Sequence, residues 1–342
     1  MRTKQAGALI AAIVIVGIAA YAGYNHYISG SESPLIVFSA DAYVPETNYL
    51  LSGYHNASGF SVLNAKGGGS FTDAREISQG VPANAFVSVS KSSYNQSYLG
   101  SRYSGWAIAF ASDQLVLAYS NSTHTALVNS IVKEFSAGLK ANSTQNYTSA
   151  YDNLTSGKVK VGISNPSSDP AGLRGWISLE IAGKLYAGNE TKFTSSIIAN
   201  GGVSNSTSAA ELVTPLTTGN IQFLFIYKSV AVSDGLPYME LSNYTNFGNA
   251  SMDGFYSSFS YSTATGPASG SPILLLVTSL AGNGPDTAAS LNFTVFVVTH
   301  NAEMASFGLV PIAKPLLFND TPVPSPISGL LSQGKITSAG AI

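Results

Sequence analysis

The chain has 342 residues, 16 basic and 18 acidic, a formal net charge of −2, and no cysteine. This length is enough for two packed units, because domains average roughly 100–200 residues. The low charge excludes a nucleic-acid-binding surface, which needs a basic footprint. The lack of cysteine excludes disulfides and thiolate metal sites. Because 45% of the residues are hydrophobic, the composition predicts a globular protein whose surface is wetted mainly by hydroxyls and amides.

Residues 1–27 are predicted to be a membrane anchor or signal segment. Residues 6–24 are uncharged and mostly apolar, and two basic residues precede them. That length suits a hydrocarbon core, with the basic flank in the cytoplasm. An A-x-A-like site at 20–22 leaves a cleaved signal peptide open as the alternative. Both interpretations export the rest of the chain through a polar linker at 28–34, so we expect an extracellular location at the membrane surface.

The sequons agree with export. N-x-S/T occurs at Asn56, Asn95, Asn121, Asn142, Asn146, Asn153, Asn189, Asn205, Asn243, Asn249, Asn292 and Asn319. Together they favour an N-glycosylated outer surface. Glycans and hydroxyls would keep this lightly charged surface soluble.

The first part of the exported chain alternates strands and helices. The predicted order is a strand at 35–39, a helix at 43–54, a strand at 60–63, a glycine-rich turn at 66–70, a helix at 71–79 and a strand at 85–89. This alternation is typical of a parallel α/β sheet.

The remaining pattern predicts a second lobe and a return to the first. Strands are predicted at 106–111, 114–119, 158–163, 221–227, 272–278 and 291–299, and helices at 126–139 and 170–185. The stretch from 121 to 151 is expected to hold one helix, and the tail from 319 to wrap or fray. The predicted division is lobe 1 at 35–112 and 230–325, lobe 2 at 113–229, and a C-terminal tail at 326–342.

Two turns between a strand and a helix are candidates for binding an anion. Gly67–Ser70 brings bare backbone to a helix start, where free N–H groups and the helix dipole favour negative charge. Ser167–Gly172 holds Asp169 at an N-cap position and Pro170 at the first helical position. A flexible turn and simple capping are the alternatives. If the lobes face each other, both helix ends converge on one cleft.

Signatures of an enzyme are missing from the sequence. The four histidines are scattered, with no zinc-ligand spacing, and no G-x-S-x-G motif occurs. We therefore predict a protein that is not an enzyme and holds no cofactor.

In order and spacing, these turns resemble the molybdate- and tungstate-binding proteins of ABC importers, particularly their archaeal branch. The more specific matching blocks are GISNPSSDPAGLR at 162–174 and FIYKSVAV at 225–232. The resemblance implies a two-lobed periplasmic-binding-protein type II fold of the α/β class. Each lobe would be a mixed, mostly parallel sheet flanked by helices, preceded by one N-terminal transmembrane helix. It also implies a monomer that closes on a tetrahedral oxyanion and delivers it to an ABC permease and its ATPase.

Three ligand-contacting positions of that family match residues of this chain. Ser70 matches a serine that donates to the oxyanion. Ala171 matches a helix-start residue that offers its backbone N–H. Tyr227 matches a tyrosine whose hydroxyl reaches the anion.

Other positions depart from the family pattern or depend on the archaeal branch. The first-loop serine is Ala42 here, so only a backbone N–H remains at that position. Asp169 matches an aspartate that approaches the metal in the archaeal branch, and it would be a metal ligand only if it coordinates the molybdenum or tungsten of the bound oxyanion. The second metal-approaching carboxylate is Ile226 here, which argues against six-coordinate binding.

Physical chemistry allows such a site in a sparsely charged chain. Neutral dipoles, namely backbone N–H groups, hydroxyls and helix N-termini, hold a dianion without a balancing cation. One alternative is a receptor for another solute, such as sulfate, a sugar or a peptide, with Trp106 and Trp176 as stacking candidates. The other is a cell-surface glycoprotein without a ligand.

Overall fold

The computed structural model describes residues 33–264, 266–282 and 287–342. The predicted anchor or signal segment and nearly all of the predicted linker lie outside the described residues. Within the described part of the chain, no helix combines the length and the apolar character needed to traverse a bilayer.

Short strands and helices alternate along most of the described chain. The strands are β1 (Val37–Ala40), β2 (Lys66–Gly68), β3 (Ala85–Ser88), β4 (Trp106–Ser112), β5 (Leu115–Tyr119), β6 (Val161–Gly162), β7 (Val203–Ser204), β8 (Phe223–Tyr227), β9 (Tyr238–Glu240), β10 (Ser260–Thr263), β11 (Gly266–Ser269), β12 (Leu274–Ser279), β13 (Val310–Asn319) and β14 (Thr337–Ser338). The helices are α1 (Val44–Ser58), α2 (Ser70–Ser78), α3 (Gln96–Leu99), α4 (Ala126–Ala141), α5 (Thr144–Leu154), α6 (Pro170–Ala187), α7 (Lys192–Ala199), α8 (Val213–Thr217), α9 (Lys228–Ser233), α10 (Asp253–Tyr256), α11 (Thr287–Thr299) and α12 (Ser325–Ser332).

Two mixed sheets organise these elements. Sheet A has the strand order β14-β13-β4-β12-β3-β1-β2, and sheet B has the order β7-β6-β8-β5-β9. In each sheet, half of the neighbouring pairs are antiparallel. The expectation of mostly parallel sheets is therefore wrong. Four of the five antiparallel pairs have a topological reason: β5 and β12 each enter their sheet from the other one, so they run opposite to the strands that lead toward the junction. The fifth pair joins β13 to β4.

The chain passes from sheet A to sheet B through two residues, Asp113 and Gln114, and Asp113 ties several segments together there. Its carboxylate is buried and accepts hydrogen bonds from Tyr43 Oη at 2.8 Å and Ser229 Oγ at 2.5 Å. The Gln114 N–H donates to the same carboxylate at 2.7 Å. This crossing therefore holds the loop after β1, the β4–β5 connection and the start of α9 in one network.

The return to sheet A comes later than the predicted division places it. Strand β9 lies within the range predicted for lobe 1, but it pairs with β5 in sheet B. Strand β14 lies in the predicted tail, but it pairs with β13 in sheet A. The tail thus wraps onto the body, and Ile327, Leu330 and Ile336 are buried.

Three predicted elements differ from the structure. The strand expected at 291–299 is helix α11, because a short, mostly apolar run does not distinguish a buried strand from a buried helix. The strand expected at 60–63 is a single bridge between Val62 and Leu35, and the glycine-rich segment forms edge strand β2 instead. The stretch from 121 to 151 holds two helices, α4 and α5, rather than one.

Helix α6 lies close against the end of β6, and glycine makes this contact possible. A Cβ atom added at Gly172 would lie 2.0 Å from the carbonyl oxygen of Ser164. We expect Gly172→Ala to lower the free energy of unfolding by about 1–3 kcal/mol, as overpacking does. Thermal unfolding followed by circular dichroism measures this as a lower Tm.

Gly329→Ala is the matched control. This glycine lies in α12, and a Cβ added there meets nothing within 4 Å. Alanine is the better helix former, so the control should be neutral or stabilising by about 0.5–1 kcal/mol. Equal Tm values for the two variants would contradict the close contact at Gly172.

Candidate functional site

Four of the five predicted site residues lie around one small cavity. The cavity is lined by Asp41, Ala42, Asp169, Ala171, Ala209, Ala210, Ile226, Tyr227 and Val230. These residues come from the turn after β1, the start of α6, the turn before α8, the end of β8 and α9. The volume is about 10 Å³, which is room for roughly one water molecule.

Asp169 organises the side of the cavity that belongs to α6. It is the N-cap of that helix, as predicted, and its Oδ1 accepts from the N–H of Ala171 at 2.9 Å. Its Oδ2 accepts from Ser164 Oγ and from the N–H of Ala209, both at 2.8 Å. The Ala171 N–H, which the resemblance assigns to the ligand, therefore donates to the capping carboxylate in this structure.

In the turn after β1, which also lines the cavity, another aspartate accepts a hydrogen bond from a nearby backbone N–H. The Ala42 N–H donates to Oδ1 of Asp41, the preceding residue, at 2.8 Å. Burial and, to a smaller extent, the nearby charge of Asp169 together raise the pKa of Asp41 to about 7. Burial also raises the pKa of Asp169. Two carboxyl groups thus face one cavity from different sheets, each engaging an amide that the resemblance assigns to the ligand.

Helix α2 presents an open N-terminus beside this cavity. Its N-cap is Gly69, which has no side chain to accept from the first-turn N–H groups. Ser70 is fully buried, and its Oγ has no hydrogen-bond partner among the described residues. A Cβ at Gly69 would lie 2.4 Å from the carbonyl oxygen of Ser168. The start of α2 therefore abuts the turn that leads into α6, although Ser70 itself is not among the residues that line the cavity.

A third acidic group lies behind Asp41. Asp73 is buried in α2, and its Oδ2 has no hydrogen-bond partner among the described residues. Burial raises the pKa of Asp73 to about 8, and the charge of Asp41 adds to this effect. The pocket for this side chain depends on Gly68, where a Cβ would lie 2.2 Å from Asp73 Oδ1.

Tyr227 reaches the cavity from the end of β8 and is held by a buried arginine. The side chain of Tyr227 is 1% exposed, and its Oη accepts a hydrogen bond from Arg174 Nη1 at 2.8 Å. Arg174 belongs to α6 and is itself 2% exposed. The prediction of a site without a balancing cation is therefore wrong. The only signal for this residue was its place in the 162–174 block, five positions after Asp169.

No metal site is evident in the described part of the chain, where no group of three or more His, Asp or Glu side chains is arranged to hold an ion. Both oxygens of Asp169 are engaged by protein donors. Ile226 is buried and lines the cavity, so it contributes an apolar wall where the archaeal family pattern has a carboxylate.

Comparison with known proteins identifies the family of the chain. Residues 35–303 match the family described as bacterial extracellular solute-binding protein. The chain belongs to that family. An uncharacterized solute-binding protein of Sulfurisphaera tokodaii is 36% identical over 323 residues, which cover 91% of this chain and 84% of that protein.

Two solved structures have a fold similar to that of this chain. The periplasmic molybdate-binding protein of Azotobacter vinelandii has a TM-score of 0.56 at 17% identity, covering 81% of this chain and 98% of that one. The sulfate-binding protein SubI of Mycobacterium tuberculosis has a TM-score of 0.54 at 14% identity, covering 91% and 94%. The fold is therefore periplasmic-binding-protein-like, an α/β fold of mixed sheets and helices.

The buried acids predict an unusual dependence of stability on pH. Asp41 and Glu46 have pKa values raised by burial to about 7, and Asp73 has one raised to about 8. In the unfolded chain these groups lose their protons near pH 4. Between about pH 4 and 8 the folded state therefore binds more protons than the unfolded state. Stability should fall as pH rises, by about 1.4 kcal/mol per pH unit for each proton.

Asp73→Asn tests this assignment. Between about pH 5 and 8, the free energy of unfolding in urea should then decline less steeply with pH. The slope should decrease by up to the contribution of one proton, about 1.4 kcal/mol per pH unit. Asp152→Asn removes an exposed carboxylate paired with Lys192 and should leave the slope unchanged. Stability of the wild-type protein that rises between pH 5 and 8 would contradict the assignment.

Proposed function

We propose that the protein is the extracellular subunit of an ABC importer that captures a tetrahedral oxyanion of the molybdate and tungstate class. The observation that carries this proposal is the open start of α2. There the buried Ser70 hydroxyl has no protein partner, and no side chain caps the helix. A helix N-terminus with a buried, unused donor suits a small anion, because its N–H groups and dipole favour negative charge.

The Tyr227 hydroxyl supplies a second donor from sheet B. Its oxygen makes no hydrogen bond with the described residues other than the one it accepts from Arg174, so its own proton is available to a ligand. An anion between Ser70 and Tyr227 would connect the start of α2, which follows β2 of sheet A, with the end of β8 in sheet B. Binding would thereby favour closure around the ion, as in hinge-type receptors.

Entry of the ligand requires movement. A cavity of about 10 Å³ is too small for an ion with four oxygen atoms, since it admits roughly one water molecule. The connections between sheets A and B are the Asp113–Gln114 crossing and the return from β9 to β12. We infer that opening bends these two connections and separates Asp41 from Asp169. The raised pKa of Asp41, about 7, lets that group be neutral when an anion enters below neutral pH.

The proposed location is the outer face of the membrane, with residues 1–27 as the anchor and the surface N-glycosylated. None of the twelve sequon asparagines is buried, which supports the proposal of glycosylation. The proposed partners are an ABC permease and its ATPase, with this chain as a monomer.

A larger anionic solute is the second candidate, and one observation favours it. A cleft of about 670 Å³ opens beside α2, and Arg75, Lys91 and Tyr98 are among its lining residues. Arg75 lies over the Tyr98 ring at 5.2 Å. That volume suits a small organic molecule. The tryptophans expected to stack on a sugar lie elsewhere: Trp106 is buried in β4, and Trp176 stacks on Tyr261 at 5.0 Å.

Isothermal titration calorimetry with molybdate, tungstate, sulfate and phosphate tests the proposal. We expect a Kd below about 10 µM for at least one of these ions, because a receptor for import needs tight capture. Ser70→Ala should weaken that binding about 10- to 100-fold, the effect of losing one hydrogen bond to a charged group. Ser195→Ala, at an exposed position of α7, should leave the Kd unchanged.

The same titrations separate the two candidates. If none of the four ions binds below about 10 µM, the oxyanion proposal fails. If Arg75→Gln abolishes binding of an organic anion while Ser70→Ala does not change it, the ligand occupies the large cleft and the second candidate is supported.

A further inference from the structure

The buried guanidinium of Arg174 is the feature that the proposed function leaves unexplained. All of its described hydrogen-bond partners are neutral oxygens. Nε donates to the Ser271 carbonyl at 3.1 Å, and Nη2 donates to the carbonyls of Val89 at 2.8 Å and Pro272 at 2.9 Å, with a longer contact to Ser271 Oγ at 3.4 Å. Nη1 donates to Tyr227 Oη at 2.8 Å. Among the residues that the structure describes, no carboxylate lies within ion-pair distance of Arg174, although Asp169 is close enough to interact electrostatically.

Burying a cation without a contacting anion costs desolvation free energy. This cost suggests that the buried Arg174 has a function. The contacts show what the group can do. The guanidinium donates to three backbone carbonyls in two segments that flank strands of sheet A. One segment follows β3, and the other is the turn before β12. These hydrogen bonds fix the orientation of the planar guanidinium, whose Nη1 points at the phenol oxygen of Tyr227.

This contact determines the direction of the hydrogen bond at Tyr227. A guanidinium has only donors, so the phenol oxygen must accept from it. The Tyr227 proton cannot point toward Arg174, and no described residue accepts it. Since Tyr227 lines the cavity, this proton is available to a ligand oxygen that enters there.

We propose that Arg174 is a positioning residue of the ligand site, which makes the Tyr227 hydroxyl a dedicated donor to an anionic ligand. This inference rests on the proposed function and adds a residue that the family resemblance does not assign. Arg174 does not touch the ligand; it acts through Tyr227. The arrangement also selects against ligands that present a donor to Tyr227, because the phenol oxygen already accepts from the arginine.

A double-mutant cycle with tungstate as the probe tests the inference. The variants are Arg174→Gln, Tyr227→Phe and the double variant, each titrated by calorimetry. Each single variant should raise the Kd at least tenfold. If Arg174 acts through the hydroxyl, Arg174→Gln in the Tyr227→Phe background should raise the Kd less than threefold further, because the group it orients is gone.

Controls separate positioning from loss of structure. Arg102→Gln removes another arginine that donates to a backbone carbonyl, that of Ala83, and should lower Tm without changing the Kd. If Arg174→Gln does not fold, Arg174→Lys retains a donor and the charge. It should bind tungstate more weakly than wild type, and this deficit should likewise disappear in the Tyr227→Phe background.

The outcomes are distinguishable. Additive losses in the cycle, or an unchanged Kd in a folded Arg174→Gln or Arg174→Lys variant, would overturn the role of Arg174 and leave the oxyanion receptor standing. Failure of the wild-type protein to bind any oxyanion would overturn the proposed function, and this inference with it.

Discussion

The carboxylate of Asp169 is the contact on which the local architecture depends. It joins the end of β6, the start of α6 and the turn before α8 through three hydrogen bonds. A buried carboxylate is tolerated only when its oxygens are satisfied in this way. Because α6 starts at this point, the cap also determines the position of Arg174 in the second turn of the helix. Arg174 in turn orients the Tyr227 hydroxyl through their hydrogen bond. The cap thus positions a donor that belongs to a different strand.

The junction of the two sheets holds buried or partly buried titratable groups as well as neutral dipoles. The acids are Asp41, Asp73 and Asp169, and the buried base is Arg174, which interacts electrostatically with Asp169. Burial raises the pKa of each of the three acids, so the charge at the junction depends on pH. The chain as a whole has a net charge of only −2, and nothing in that value reveals the concentration of titratable groups at one place.

Much of this arrangement is readable from local sequence. The dipeptide Asp169–Pro170 after a strand predicts a capped helix start, and the structure has it. The glycines before Ser70 predict a close approach of the backbone to a ligand, which stays a prediction; in the structure, Gly69 lies against the carbonyl of Ser168. Long apolar runs predict buried elements, although the run at 291–299 does not distinguish helix from strand, because its apolar residues are too closely spaced to show either period.

What local sequence does not predict are contacts between distant segments. Asp41 and Asp169 come together only because the two sheets pack, and neither residue has a neighbour in sequence that signals the other. Arg174 bonds to carbonyls of Val89 and Pro272, which are backbone atoms without any side-chain signature. The return of the chain at β9 likewise depends on pairing with β5, and a three-residue strand has too weak a pattern to show it.

A crystal structure of the protein grown with tungstate, with data collected at a tungsten absorption edge, locates the anion directly. We expect one strong anomalous peak between the start of α2 and Tyr227, within hydrogen-bond reach of the Ser70 and Tyr227 hydroxyls. A peak in the large cleft beside Arg75, or binding sites only on the outer surface, would contradict it.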